Sequence, residues 1–302
     1  PPTRAKLQID VDDLRAVNPK LIYARGTGWG SRGPLAAQAG FDSVAAWAAG
    51  GVAYRLTAPD ADQPLMQPGA FYDLQGSANL AGAVSAALFK LARTGDPSVV
   101  DVSLMSLALW SLAPDLVSAP YVGDVSRFDR FAVGNPLVNW YRTRDGRWLH
   151  FSLLQSDRYW SELCRAIGHP ELIDDPRFAD GTARSENRVE TVRALDAIFA
   201  TGDVAEWEER LASFSGAWTV ALTPLEVHNH PQVEPNGYLP TVTSIEGDAF
   251  RLVAPPMQFD DGASPSLATG APEAGQHTEE LLLELGYDWD QIVLYKENEA
   301  VL

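Results

Sequence analysis

The hydrophobic and polar positions in the first part of the chain alternate between helical and strand patterns. Residues 11–17 predict a short helix, and the apolar run 21–25 predicts a buried strand. Residues 42–51 predict a second helix. Residues 56–70 contain several prolines and no periodicity, which predicts a loop. Helices and strands in alternation are typical of an α/β layer.

The clearest helical pattern covers residues 74–92, which are rich in Ala, Gly and Ser and place leucine or valine at every third or fourth position. A cation and a glycine follow in Arg93 and Gly95, as expected at a helix C-terminus. Residues 98–113 predict a strand that runs into another helix. The sequence therefore predicts a first domain over residues 1–120.

The pattern changes from residue 121, where paired strands and helices replace the α/β alternation. Residues 133–154 predict two strands joined by a turn at 144–146. Helical patterns follow at 156–168, 184–200 and 203–213. Short strands are predicted within 223–262, and two further helices within 277–301. We predict a second, α+β domain over residues 121–262, and we expect the helices of 263–302 to return to the first domain.

Composition narrows the class of protein. The chain has 302 residues, 46% of them hydrophobic, and a formal net charge of −17. No cluster of Lys or Arg is present, so nucleic acid is not an expected partner. Cys164 is the only cysteine, which suggests a reducing, cytoplasmic location and a buried structural thiol. No apolar run is long enough to span a bilayer, and no signal peptide is evident.

The first residues read as the tail of a helix followed by a strand. A domain rarely begins half-way through an α/β unit, so we expect further sequence upstream, missing or disordered.

The segment GTGWGSRGP (26–34) follows the first predicted strand, and its glycines Gly28, Gly30 and Gly33 fit G-x-G-x-x-G. A dinucleotide fingerprint also needs a helix that opens on the glycines and an acidic residue about 20 positions later. Pro34 interrupts the helix, and residues 47–55 contain no acid. We therefore interpret the segment as a glycine turn that lets the backbone approach a ligand or a helix.

Asp73 stands between the proline-containing loop and the small-residue helix. The residues alone leave two interpretations open. Asp73 is a plain N-cap whose carboxylate faces free backbone N–H groups. Alternatively, it is a carboxylate partly desolvated by Phe71 and Tyr72, next to an open turn at Gln75 and Gly76, and acts as a nucleophile or base.

The five histidines of the chain lack the spacing of a metal site, and we predict no metal; they are His150, His169, His228, His230 and His277. Neither the G-x-S-x-G signature of a nucleophile-elbow hydrolase nor a phosphate-binding P-loop occurs.

Several segments, in order, resemble the class III CoA-transferases, the CaiB/BaiF family that includes formyl-CoA transferase and crotonobetainyl-CoA:carnitine CoA-transferase. The first is NPKLIYARGTGWGSRGPLAAQAGFDSVAAWAAGG, and the second is QPGAFYDLQGSANLAGAVSAALFKLARTGDPSVVDVSLMSLAL. The blocks GNPLVNWYRTRDGRW, DDPRFADGTARSENRVE, PLEVHNHPQV and GQHTEELLLELGY follow in the family's order. The resemblance covers essentially the whole chain.

This resemblance implies a reaction in which Asp73 attacks an acyl-CoA thioester and forms a mixed anhydride. CoA thiolate then gives an aspartyl-CoA thioester, from which an acceptor acid takes the CoA. Asp73 matches the position of the family's nucleophile. The substrates implied are acyl-CoA and small carboxylic acids, and the loops at 26–33 and 40–42 are expected to line the CoA or acyl site. The residues expected to contact CoA are Gly28, Gly30, Phe41, Asp42, Gln75 and Gly76, with backbone N–H donors near Gln75 and Gly76 for the thioester oxygen.

The implied fold is an interlocked homodimer, in which each chain has a Rossmann-like α/β domain and a small α+β domain. This chain departs from the family at three points. We expect the family's upstream segment, with its first strands and many CoA contacts, to be missing or disordered. Tyr72 stands where a glycine often precedes the aspartate. Phe41 stands where related acyl-CoA racemases have their catalytic histidine, which counts against racemisation. An acyl-CoA racemase or isomerase of the same fold and a non-catalytic CoA-binding protein remain the alternatives.

Overall fold

The computed structural model describes residues 2–123, 127–244, 247–259 and 272–302. Its helices are α1 (Pro2–Leu7), α2 (Val11–Val17), α3 (Val52–Leu56), α4 (Phe71–Thr94), α5 (Leu104–Ser111), α6 (Ala113–Val122), α7 (Ser156–Ala166), α8 (Gly181–Glu186), α9 (Arg188–Phe199), α10 (Val204–Leu211), α11 (Pro224–His228), α12 (Thr278–Glu284) and α13 (Trp289–Glu297). A π-helical segment covers Asp42–Ala48, and a single 3₁₀ turn covers Pro170–Leu172. The strands are β1 (Tyr23–Thr27), β2 (Val99–Ser103), β3 (Val138–Arg142), β4 (Trp148–Ser152), β5 (Trp218–Val220), β6 (Thr241–Thr243) and β7 (Ala249–Arg251). The fold is mixed α/β, as the sequence predicts.

Strands β1 and β2 pair in parallel, with Tyr23 opposite Val99 and Thr27 opposite Ser103. The first strand begins two residues later than the apolar run at 21–25 indicates, because the N–H of Leu21 donates to the carbonyl of Asn18 and closes the turn after α2. Parallel strands end at the same edge of a sheet, so the segments after Thr27 and Ser103 start side by side.

Helix α4 begins at Phe71, three residues before the predicted start. Its N-cap is Ala70, whose φ of 58° lies in the left-handed region. Gln75 and Gly76 lie inside the helix, as the predicted range 74–92 places them, one turn further from its start. The interpretation of Asp73 as the N-cap is wrong, since Asp73 occupies the third helical position. The reason is a remote residue: the carboxylate of Asp42 accepts a hydrogen bond from the N–H of Tyr72 at 3.0 Å and takes over the role of a local cap.

The π-helical segment, α4 and α5 pack around a common buried cluster. Its members are Ala46, Trp47, Val52, Ala53, Tyr72, Leu107 and Ala108, with Val102, Leu104 and Leu112 packed against them. The apolar positions of three separate segments thus meet under the start of α4, which fixes that end of the helix to the sheet.

The predicted hairpin is present as the antiparallel pair β3–β4, joined across residues 143–147, and β5 adds to the β4 side. Helices α7, α9 and α10 follow in the predicted segments. Phe199 of α9 packs against the hairpin, with its ring centroid 5.3 Å from that of Tyr141 and 5.4 Å from that of Phe151. Cys164 is fully buried in α7, as expected for a structural thiol.

The chain divides into two compact units, Pro1–Thr219 and Val220–Leu302. The second contains α11, the β6–β7 hairpin, α12 and α13. There the guanidinium of Arg251 donates to the carbonyls of Leu239 and His228. The predicted boundary after residue 120 falls within α6, and the one after 262 lies outside the described residues. The predicted domain limits stay predictions.

Among the helices of the described ranges, none combines the length and the apolarity needed to cross a membrane. The cytoplasmic location stays a prediction.

Candidate active site

A cleft of about 400 Å³ opens at the edge where β1 and β2 end. It is lined by Gly26, Thr27, Gly28, Gly40, Asp73, Gly76, Ser77, Leu80, Val102, Leu104 and Leu107. These residues come from the end of β1, the following loop, the first turns of α4, the end of β2 and the start of α5. In open α/β sheets, ligands bind in the crevice outside the carboxyl ends of the strands, and this cleft has that position.

Asp73 is the one charged residue among the described residues that line the cleft. It lies in the first turn of α4, where the unpaired backbone N–H groups and the helix dipole favour a negative charge. Its side chain is exposed, so the start of the helix does not desolvate it as the sequence suggested. Gly76, Ser77 and Leu80 follow it at the spacing of a single helix face.

Asp42 lies beneath the helix rather than in the cleft. It is 5% exposed, and its Oδ2 accepts the N–H of Tyr72, the residue before Asp73. Its Oδ1 is buried without a hydrogen-bond partner among the described residues. Asp42 therefore anchors the backbone that carries Asp73.

The backbone at Gly28, in the segment 26–34, lies directly against the backbone at Gly40. A Cβ atom on Gly28 would lie 2.7 Å from the Cα of Gly40, and one on Gly40 would lie 2.7 Å from Nε1 of Trp29. The carbonyl of Gly28 accepts the N–H of Met105 at 3.0 Å, which ties the loop to α5. The indole of Trp29 donates to the carbonyl of Ala39. Gly28 thus allows two backbone segments to touch in the wall of the cleft, which supports the interpretation of a turn of close approach.

Tyr72 does not line the cleft. It is 2% exposed, belongs to the core cluster and packs edge-to-face against Phe71 at 5.4 Å between ring centroids. Its contribution to the site is its backbone N–H, which Asp42 holds.

The structure brings three of the predicted site residues into one cleft, namely Gly28, Asp73 and Gly76. It places the others outside the cleft: Phe41 is 71% exposed, Asp42 is buried, Gln75 points along another face of α4, and Gly30 donates its N–H to Oγ1 of Thr27. Their contact with CoA stays a prediction. Gly26, Thr27 and Gly40 also line the cleft and lie in the loops 26–33 and 40–42 that were expected to do so. The lining residues that sequence reasoning missed are Ser77, Leu80, Val102, Leu104 and Leu107. Helical spacing from Asp73 would have found Ser77 and Leu80, whereas the others needed the strand register.

One ion pair lies across the two strands that end at the cleft. Arg25 donates to both carboxylate oxygens of Asp101 at 2.7 Å. The hydrogen bond from Arg25 holds the pKa of Asp101 below its usual range. This pair locks the register that brings Thr27 and Ser103 to the same edge.

In the part of the chain that the structure describes, no three His, Cys, Asp or Glu side chains form a group able to hold a metal ion. In the HNH segment, the backbone carbonyl of His228 accepts from Arg251, and Nδ1 of His230 accepts the N–H of Gln232.

A mixed α/β fold with a lone carboxylate at a helix start, beside a cleft at the carboxyl ends of two parallel strands, defines the class of α/β proteins with a crevice for a ligand. Comparison with known proteins specifies the class. The family model described as CoA-transferase family III matches residues 1–278. The chain belongs to this family, which confirms the resemblance stated from the sequence.

Individual proteins agree with this assignment. A (R)-2-hydroxy-4-methylpentanoate CoA-transferase of Clostridioides difficile is 28% identical over 296 residues, covering 98% of this chain and 73% of that protein. An acyl-CoA transferase of Fusarium pseudograminearum is 31% identical over 310 residues, covering 100% of this chain and 66% of that protein. The crystal structure of Rv3272 from Mycobacterium tuberculosis matches with a TM-score of 0.79 at 29% identity, covering 92% of this chain and 73% of that one. The prediction of a CoA-transferase enzyme is confirmed at the level of the family.

Proposed function

We propose that the protein transfers coenzyme A from an acyl-CoA thioester to a carboxylic acid, with Asp73 as the covalent nucleophile. The observation that supports this most is the position of Asp73 as the one charged residue among those described around the cleft, at the start of α4. The relatives named above are transferases of CoA or of acyl-CoA, so a thioester donor fits the family.

In the first step, a carboxylate oxygen of Asp73 attacks the thioester carbonyl and expels CoA thiolate, which leaves a mixed anhydride. The thiolate then attacks the aspartyl carbonyl, the donor acid leaves, and an aspartyl-CoA thioester remains. The acceptor carboxylate attacks this thioester, forms a second anhydride and releases thiolate. Attack of the thiolate on the acceptor's carbonyl gives the product thioester and regenerates Asp73. Division into such covalent steps replaces one difficult exchange by easier ones.

The residues of this chain support these steps in separate ways. The unpaired amides of the first turn of α4 favour negative charge on Asp73 and on oxygens that develop next to it. Since Gln75 and Gly76 are inside the helix, the amides available for such donation are those of Phe71 and Asp73, while Tyr72 donates to Asp42. The Gly28–Gly40 contact lines part of the cleft with backbone rather than side chains, which leaves room for a thioester.

The experiment that tests this function is chemical trapping of the adduct. The protein is incubated with each of a broad panel of acyl-CoA donors, treated with hydroxylamine and digested for mass spectrometry. We expect an aspartyl hydroxamate at Asp73, and none in the Asp73→Asn variant. Asp62→Asn, which changes an exposed aspartate of the loop before α4, is the matched control and retains the adduct.

Absence of the adduct with every donor would refute the proposed function. Retained CoA binding in that case would favour a non-catalytic CoA-binding protein. Wash-in of deuterium at the α-carbon of an acyl-CoA, without an acceptor acid, would favour a racemase or isomerase.

The interlocked homodimer and the Rossmann-like domain implied by the family belong to the same proposal. Helices α5 and α6 leave Trp110 and Tyr121 83% and 88% exposed, together with Val117 and Val122. Large apolar side chains left exposed on two successive helices are a feature of interaction surfaces. We expect sedimentation equilibrium to give a dimer, and a stable monomer at micromolar concentration would contradict the assembly.

A further inference from the structure

The wall of the cleft next to Asp73 is apolar. Leu80 projects from the same face of α4 as Asp73, and Val102, Leu104 and Leu107 come from the end of β2 and from α5. Leu107 also belongs to the buried core cluster, and Val102 and Leu104 pack against that cluster, so core packing holds this wall in place. None of the described residues around the cleft is Lys, Arg or His.

Gly76 stands between Asp73 and this wall. A Cβ atom placed on it would lie 3.4 Å from Cδ1 of Leu107 and 4.0 Å from Cδ2 of Leu104, which is ordinary van der Waals contact. The packing of α4 on α5 therefore does not require glycine, although glycine is less favourable than alanine inside a helix. Both leucines line the cleft, Leu107 with 8% of its surface exposed, and the missing side chain keeps the space in front of them open, one helical turn beyond Asp73.

We infer that the acyl group of the donor is apolar and lies over Leu104 and Leu107, in the space that Gly76 leaves open. This inference rests on the proposed function, since it places the acyl carbonyl at Asp73. A donor of this class is an aliphatic or aryl acyl-CoA. A dicarboxylic donor of equal length would bury its free carboxylate among leucines, and burial of a charge without a partner is strongly unfavourable. Gly76 is therefore a specificity-determining residue.

The test compares donors of different length and charge. The rate of formation of the trapped adduct at Asp73 is measured in single turnovers with acetyl-CoA, hexanoyl-CoA and glutaryl-CoA, so no acceptor acid is needed. Each buried methylene contributes a factor of about four, so even partial burial of the hexanoyl chain makes hexanoyl-CoA roughly tenfold or more faster than acetyl-CoA. Glutaryl-CoA is expected to be slower than hexanoyl-CoA by a similar factor.

Two variants of the same helix test the residue. In Gly76→Ala the added methyl group occupies the cleft, so the rate with hexanoyl-CoA falls by roughly tenfold, whereas the rate with acetyl-CoA changes by less than about threefold. In Gly82→Ala the helix gains the same backbone preference, but a Cβ atom there meets nothing within 4 Å, and the rates with both donors are unchanged. Both variants are expected to melt at or above the wild-type temperature, which shows that the fold is intact.

The outcomes separate the two proposals. An adduct that forms with glutaryl-CoA as fast as with hexanoyl-CoA overturns the apolar acyl site and leaves the aspartyl mechanism in place. Equal effects of Gly76→Ala and Gly82→Ala overturn the role of Gly76. Absence of an adduct with any donor refutes the proposed function itself, and this inference with it.

Discussion

Replacement of Asp42 tests whether a residue outside the cleft holds the candidate nucleophile in place. Asp42 is 5% exposed and accepts the backbone N–H of Tyr72 at 3.0 Å, while the formal N-cap, Ala70, offers no side-chain acceptor. The variant Asp42→Ala leaves that N–H buried without a partner and frees the start of α4. Asp73 is the next residue along the chain, so its position depends on this bond.

The magnitude follows from the kind of bond that is lost. A hydrogen bond to a charged acceptor contributes about 1.5–3 kcal/mol, and an unsatisfied buried donor costs a comparable amount. We therefore expect Asp42→Ala to lower the free energy of unfolding by about 2–3 kcal/mol, and the melting temperature by roughly 4–12 °C for a unit of this size. Asp42→Asn keeps an acceptor for the N–H of Tyr72 but removes the charge. It also buries an NH₂ group at the position of Oδ1, which has no partner among the described residues. We therefore expect Asp42→Asn to lower the free energy of unfolding by about 1–2 kcal/mol.

The assay combines urea unfolding with the rate of adduct formation at Asp73. The matched control is Asp180→Ala. The exposed carboxylate of Asp180 caps α8 by accepting the N–H of Ala183 at 2.8 Å, and this variant removes the cap. The control is expected to lose about 1 kcal/mol of stability and to keep its adduct rate. Asp42→Ala is expected to slow adduct formation by roughly tenfold to a hundredfold, because small displacements of a reacting group are costly. The reasoning is refuted if both variants lose the same stability and neither changes the rate.

The remaining predictions concern packing, reactivity and pH. Gly50→Ala places a Cβ atom 2.4 Å from the Cβ of Ala108, so we expect a loss of roughly 1–3 kcal/mol in urea unfolding, and unchanged stability would contradict the close contact. Burial raises the pKa of Cys164 to about 12, so alkylation of the native protein near neutral pH is expected to be about a thousandfold slower than that of the unfolded chain; a fast native reaction would show that the thiol is accessible. Arg25 lowers the pKa of Asp101, so their pair stabilises the fold above the unfolded pKa of about 3.9 and loses this contribution as the pH falls through the lower, folded pKa. The stability difference between wild type and Arg25→Gln is therefore expected to shrink below about pH 4, and a constant difference would exclude Asp101 as its origin.

Much of the local structure follows from sequence pattern. The helices near 156–168 and 203–213 and the hairpin turn at 144–146 form in the predicted segments, because their periodicity and turn residues agree with the tertiary fold. The class III resemblance, confirmed by the family match, also gives Asp73 its candidate role before any geometry is known.

The sequence pattern predicts the start of α4 wrongly, and the reason is physical. Local rules assign Asp73 as the N-cap, because aspartate before an apolar run is a good cap. The actual acceptor is Asp42, 30 residues away, which moves the start of the helix to Phe71. No local signal in a single sequence reveals such a partner.

The chain thus determines by itself several of its helices, its hairpin, its family and the residue type that carries the candidate chemistry. The tertiary structure decides which residues share the cleft. The parallel pairing of β1 with β2 brings Thr27 and Val102 to one edge, and the approach of Gly28 to Gly40 shapes part of the wall of the cleft. The position of Gly76 opposite the leucines of α5 depends on the packing of two helices. Such contacts join residues far apart in sequence, and their geometry is set by burial and register rather than by local preference.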